Sequence, residues 1–258
     1  MKMKNKTFGL TKSDLLVVAA IVIIKAMFIT WFYIPSGSML PTFKINDRVI
    51  VDMDAYRYRL PMTDITLYKK ASPERGDSII FNEKNSGVIY VKRVIGLAGD
   101  TIRTAGHDVY INDKKLKSER LGAEEGYVSY KQELEGKQFV ARYNQKFDGL
   151  TQLMTLEKAG NLPELTIEEQ EHFKRYRRLR EGSWTVPEGH VFVMGDNRDE
   201  SLDSRFEEVS VISEEMVRGK VSFVLANMKP LTIGDVTIPF IPASFTDFNR
   251  SPYELESK

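Results

Sequence analysis

A serine hydroxyl becomes a nucleophile when a base takes its proton, and this sequence offers a lysine for that task. The serine is Ser38, in the string IPSGSMLPT from Ile34 to Thr42, and the lysine is Lys92, in VIYVKRVIGLAGD. Strand alternation puts Tyr90, Lys92 and Val94 on one face and Val91, Arg93 and Ile95 on the other, so two adjacent cations point opposite ways. A lysine on an apolar face is costly when charged, and burial lowers its pKa from ~10.4 toward a neutral amine able to accept the serine proton. The competing reading is an edge-strand lysine whose head reaches water. The three histidines, His107, His172 and His190, fall on a turn, a charged helix and a strand start without neighbouring ligands, and read as surface or structural residues. No cysteine is present, which excludes disulfides, thiolate catalysis and cysteine-ligated metal clusters. Neither metal nor cofactor is expected.

A second polar string, MGDNRDESLDSR from Met194 to Arg205, carries Asp196, Asp199 and Asp203. The acids are not at EF-hand spacing and lack the closing glutamate, which disfavours a calcium site, and a surface turn is the plain alternative.

Several elements must position these residues. Ser38 comes after an apolar run, LLVVAAIVIIKAMFITWFYIP from Leu15 to Pro35, close to the ~20 residues that a bilayer core requires. Lys25 interrupts it at a cost of roughly 2.5 to 3.5 kcal/mol, partly relieved by snorkelling. A cleaved leader is disfavoured because no small-x-small site follows Lys25, and a soluble core helix because the run is apolar all round. Four lysines in the N-terminal arm keep it cytoplasmic, sending Ser36 and the residues beyond it across the membrane, with Trp31 and Tyr33 at the far interface. Residues 1–34 are therefore read as a cytoplasmic N-terminus and single-pass transmembrane anchor.

Beyond Pro35 the periodicity becomes strand-like. Runs at Arg48 to Val51, Asp77 to Phe81, Val88 to Ile95, Asp108 to Ile111, His190 to Met194 and Lys220 to Leu225 are rich in β-branched and aromatic residues and separated by turn signals. The fold class is mainly β, an antiparallel sandwich or distorted barrel, in two parts at residues 35–113 and 183–226. Between them, residues 114–182 form a charged, partly helical insertion, with a helix over Thr166 to Arg180 whose acids precede its bases. Its basic end, Lys174 to Arg180, is read as a solvated face in preference to a lipid or nucleic-acid contact. Residues 227–258 form a C-terminal segment. With 37 Lys+Arg against 36 Asp+Glu the net charge is +1, so no global field draws in nucleic acid.

IPSGSMLPT, NDRVIV, RGDSIIF, YVKRVIGLAGD and GDNRDESLDSR, in this order behind an N-terminal anchor, closely resemble the bacterial type I signal peptidases, the membrane-bound Ser-Lys leader peptidases. The resemblance covers residues 14 to 110 and 184 to 225 and leaves the insertion unmatched. It implies Ser38 as nucleophile and Lys92 as general base. Ser36 would join the Ser38 backbone N–H in the oxyanion hole, and Ser201 would orient the lysine. Arg93 with Asp196, and Asp203 with Arg205, would brace the site by ion pairing, while Ile34, Phe32 and Val91 would line substrate pockets, with core or lipid contact as their plainer reading. Asn46, Arg57 and Ala98 depart from the family pattern without touching this chemistry, and asparagine tolerates the positive φ that a glycine at position 46 would supply.

The resemblance thus implies a serine endopeptidase of the bacterial inner membrane that removes signal peptides from exported preproteins without metal or cofactor, in contact with lipid and not with nucleic acid. A self-cleaving Ser-Lys repressor-type protease lacks such an anchor, and a non-catalytic anchored binding module would leave Ser38, Lys92 and Ser201 coincidental.

Overall fold

The computed structural model describes residues 11, 13–14, 16–17, 29–59, 65–83, 87–233, 236–242 and 250–253. The main sheet has eight strands. Its path runs β1 (Ile29–Tyr33), β2 (Asp47–Asp52), β16 (Val217–Ile233), β5 (Ser78–Asn82), β6 (Ile89–Gly96), β14 (His190–Met194) and β15 (Ile212–Ser213), with β17 (Val236–Pro242) paired to β16. A four-stranded sheet orders β13 (Glu181–Thr185), β7 (Thr101–Ala105), β8 (Asp108–Ile111) and β9 (Lys114–Lys115). A meander of β10 (Lys117–Glu124), β11 (Tyr127–Leu134) and β12 (Lys137–Asn144) forms a three-stranded sheet, and β3 (Arg57–Arg59) pairs with β4 (Thr66–Lys69). Every strand pairing is antiparallel, as the absence of helical crossovers predicts.

Local sequence explains the central strands. Asp47, Val49 and Val51 of β2 alternate inward with half-buried neighbours, the period-2 pattern of a strand with one covered face. The SII of β5 is buried on both faces, Ile79 entering one apolar cluster and Ile80 another, and β6 and β14 beside it are likewise covered on two sides. On one side, Ile95, Phe192 and Met194 pack with Ile102, Val109, Phe139 and Tyr143. On the other, Ile79, Phe81, Val94 and Val193 meet Tyr56, Val209 and Ile212. A third cluster seats Ile34, Met39 and Phe43 on Val49, Val51 and Ile80, fixing the segment that carries Ser38 against β2 and β5.

The anchor expected over residues 1–34 needs one correction. Ile29–Tyr33 is a strand paired with Asp52 back to Arg48, so no transmembrane helix runs through to Tyr33. Thr30, Trp31, Phe32 and Tyr33 are β-branched or aromatic, and docking on β2 pairs one edge of their backbone. The remainder of the apolar run, residues 18–28, lies outside the described residues, and among those described no helix is long and apolar enough to cross a membrane.

Residues 114–182 hold more strand than a partly helical insertion suggests, including all of the β10–β12 meander. Two helices come next, α1 (Asp148–Lys158) and α2 (Ile167–Arg180). Thr166 caps α2 in a reciprocal capping box: its hydroxyl accepts from the Glu169 N–H, and the Glu169 carboxylate accepts from the Thr166 N–H. The expectation of a solvated basic face fails at its last residue: the Arg180 side chain is 1% exposed and paired at 2.7 Å with Asp199. Leu134, Phe139, Ala141 and Tyr143 enter the same apolar layer as Ile95 and Phe192, so the insertion shares the core of the β-domain.

Candidate active site

Three segments meet at the site. The first is the turn between β1 and β2, held because the Ile34 N–H donates to the Asp47 carbonyl, the Asn46 N–H to Ile34, and the Phe43 N–H to Met39. Asn46 sits at φ 74° in that turn, the conformation a glycine would otherwise supply, and its Oδ1 accepts from the Tyr33 hydroxyl at 2.8 Å. The second is β6, whose centre is buried between neighbouring strands. The third is the loop after β14, residues 195–205, which includes a 3-10 turn at Arg198–Glu200.

Lys92 Nζ donates to Ser38 Oγ at 2.7 Å and to the Val91 carbonyl at 3.1 Å. Lys92 is 2% exposed. Burial pushes its ammonium down to about 8, against the opposing pull of Asp203 and Asp196, with Arg205 adding to the downward shift. Near neutrality about a tenth of such lysines carry no proton, a far larger fraction than for a free lysine. The Tyr90 ring, 5.3 Å from Nζ, lies on the same side of β6, as alternation requires.

Arg93 points the opposite way. Its Nε and Nη2 donate to the two oxygens of Asp196 at 2.8 and 2.7 Å, its Nη1 to the Gly76 carbonyl, and its guanidinium lies 4.2 Å over the Phe139 ring. Asp203 and Arg205 form a second fork, with both bonds at 2.8 Å. Burial pushes the Asp203 carboxyl up, but the Arg205 guanidinium and the Gly195 N–H outweigh it and hold the carboxyl below the usual range. Arg205 also donates to the carbonyls of Leu179 and Arg198, tying the end of α2 to the loop.

Ser36 is exposed, and its Oγ lies 3.5 Å from Ser38 Oγ. The Ser38 N–H donates to no protein atom among the described residues. Ser201 is buried beside Asp203, whose carboxyl its hydroxyl helps to hold down, and no hydrogen bond joins it to Lys92. Ile34, Phe32 and Val91 pack in one cluster beside Met39 and Phe43, with Ile34 buried and the other two half-buried.

The structure adds residues that the motifs alone did not single out. Thr42 Oγ1 donates to Asp196 Oδ2 at 2.5 Å, connecting the serine turn to the Arg93 pair. Gly195 lies so close to its neighbours that a Cβ there would collide with Ser201 Oγ and stand 2.5 Å from the Ser38 carbonyl oxygen. Asn197 holds the carbonyls on either side of the Ser38 N–H. Asp199 accepts from the Asn144 N–H and from Arg180, both supplied by residues 114–182. Thr42, Gly195, Asn197 and Asp199 all stand inside the two motif strings, so closeness to Ser38 and Ser201 in sequence was the available signal. Arg180 carried none, being one base in a basic helix end.

The family profile for signal peptidase, peptidase S26, matches residues 8–226. A signal peptidase I of Pseudomonas fluorescens is 34% identical over 197 residues, which are 76% of this chain and 61% of that protein. The chain thus spans less than two thirds of that relative's length. A signal peptidase I of Buchnera aphidicola is 33% identical over 226 residues, covering 80% of this chain and 72% of the relative. A crystal structure of a signal peptidase I from Enterococcus faecalis aligns with a TM-score of 0.32 and 23% identity over 58% of this chain and 97% of that one, too distant to bear on the site. With more than half of its length inside the profile and relatives at this identity, the chain belongs to the peptidase S26 signal peptidase family.

Proposed function

We propose that this chain is a serine endopeptidase that removes signal peptides from exported preproteins with a Ser38–Lys92 dyad. The observation that carries the reading is the 2.7 Å hydrogen bond between Lys92 Nζ and Ser38 Oγ, made by a buried lysine whose pKa has fallen to about 8. Once neutral, Lys92 takes the Ser38 proton as Oγ attacks the scissile carbonyl. The carbonyl electron pair moves onto oxygen, where the Ser38 N–H and the Ser36 hydroxyl donate to it. The tetrahedral species collapses to an ester on Ser38, and the departing amine takes its proton from Lys92. Lys92 then accepts a proton from water as that water attacks the ester, and returns it to Ser38 Oγ as the acid leaves.

Supporting roles rest on the same geometry. The Arg93–Asp196 pair, bonded to Thr42, sets the serine turn against β6. The Asp203–Arg205 pair holds the loop behind Lys92, and the buried Ser201 hydroxyl is the polar group that would orient its amine. Phe32, Ile34 and Val91 would border the small side chains of an Ala-x-Ala-like site. The apolar run before β1 supports a single-pass anchor with the N-terminus cytoplasmic and the catalytic domain outside a bacterial cytoplasmic membrane, in reach of lipid.

Detergent-solubilised protein incubated with a preprotein should release the mature chain, and Ser38→Ala and Lys92→Ala should each abolish release. Undiminished processing by either variant refutes the dyad, and a wild type that releases no mature chain leaves the non-catalytic binding module standing.

A further inference from the structure

A glycine peptide rotates more freely than any other, and the N–H proposed to receive the oxyanion belongs to the peptide that joins Gly37 to Ser38. That peptide nevertheless has a fixed orientation. Its carbonyl accepts the Leu40 N–H at 3.1 Å within the turn, and the Asn197 Nδ2 at 2.9 Å from the loop after β14. The next carbonyl, that of Ser38, accepts the Asn197 backbone N–H at 3.1 Å. Asn197 therefore grips both peptide planes that flank the Ser38 α-carbon. In a trans peptide the C=O and N–H point opposite ways, so turning the Gly37 carbonyl inward turns the Ser38 N–H outward, where it has no protein acceptor among the described residues.

Asn197 is suited to the task. It is fully buried, and its Nδ2 divides its two hydrogens between the Gly37 carbonyl and Glu200 Oε2, 3.0 Å away. Both neighbours are acceptors only, which assigns the nitrogen and not the oxygen of the amide to this side. The loop is in turn held by β12: the Arg142 N–H donates to the Asp196 carbonyl at 2.9 Å, and Arg142 bridges Asn197 in parallel.

We infer that Asn197 is a positioning residue whose side-chain amide fixes the Gly37–Ser38 peptide so that the Ser38 N–H faces the oxyanion. The inference rests on the Ser38–Lys92 peptidase reading. No hydrogen bond joins Asn197 to Lys92, so its loss should lower kcat and leave the pH midpoint in place.

The test is Asn197→Ala in the full chain, which removes the amide and keeps the backbone N–H to Ser38. Expected are a ten- to hundredfold fall in kcat, an unchanged KM and an unchanged pH midpoint, since Lys92 keeps its surroundings. A peptide aldehyde with a signal-peptide sequence, whose adduct on Ser38 carries an oxyanion, should bind more weakly by the same factor as kcat falls. Asn197→Ser retains a polar group for Glu200 but is too short to reach the Gly37 carbonyl, and should show the same loss if the alanine variant does not fold. Wild-type kcat, or a loss accompanied by a shifted pH midpoint and unchanged aldehyde affinity, overturns the inference. Full activity of Ser38→Ala or Lys92→Ala instead overturns the peptidase reading beneath it.

Discussion

Replacing Lys92 with methionine should make the protein inactive and more stable. Methionine matches much of the lysine volume and fills the same buried space without a charge to desolvate. In the folded chain the Lys92 pKa lies at about 8, against 10.5 for a free lysine. At pH 7 the lysine is protonated when unfolded and mostly protonated when folded, so folding bears almost the whole cost of burying the ammonium. At about 1.36 kcal/mol per pH unit that cost is about 3 kcal/mol. Between pH 8 and 10.5 the unfolded chain binds more protons at this position than the folded one, so the stability of the wild type climbs toward that of Lys92→Met. The difference should shrink to about 2 kcal/mol at pH 9 and to less than about 1 near pH 10.5. Urea unfolding of both proteins at pH 7, 9 and 10, with midpoints compared at fixed slope, measures it. A variant less stable than wild type at pH 7, or a difference that does not change with pH, would refute the claim that a desolvated lysine is held beside Ser38.

Three further outcomes are expected. The rate of preprotein cleavage should rise with pH to a midpoint near 8 and fall about tenfold per pH unit below it, as protonated Lys92 cannot take the serine proton; a flat profile down to pH 6 in single-turnover assays contradicts this. Gly195→Ala should lower activity at least about a hundredfold, because the new methyl would collide with Ser201 Oγ and the Ser38 carbonyl, and an unaltered kcat would show that the contact yields easily. Arg180→Ala leaves the buried Asp199 carboxylate without its cation and should cost about 3 to 5 kcal/mol in urea unfolding, whereas Arg177→Ala, which breaks an exposed 2.9 Å pair with Glu157, should cost less than about 1.

How much of this could be read from the sequence depended on how local each cause was. Strands such as β8 and β14 stood out because their apolar, β-branched runs are bounded by turn residues, and α2 because acids open it and bases close it. The opposed directions of Lys92 and Arg93 come from strand geometry alone. The strand Ile29–Tyr33 was hidden, since composition describes an apolar run but not the point where it stops being helix and pairs with β2. The meander β10–β12 was hidden for the opposite reason: strands with one solvated face and many charged residues resemble a polar insertion until their partners are known. Thr42, Asn197 and Arg180 act across 154, 160 and 19 residues respectively, and their roles arise from partners brought in by the fold.

The grip of Asn197 on the serine turn joins residues 160 positions apart, and Lys92 reaches Ser38 across 54. Contacts so distant along the chain form late, because a long loop must close before they contribute. A growing chain that has emerged only as far as the β10–β12 meander already contains Ser38 and Lys92, yet has no residue 197 to aim the peptide and no Asp203 beside the lysine. On the peptidase reading proposed above, timing would act as a safeguard: an unfinished copy would lack the parts needed to cut its neighbours, and hydrolysis would arrive only with the last turns of folding.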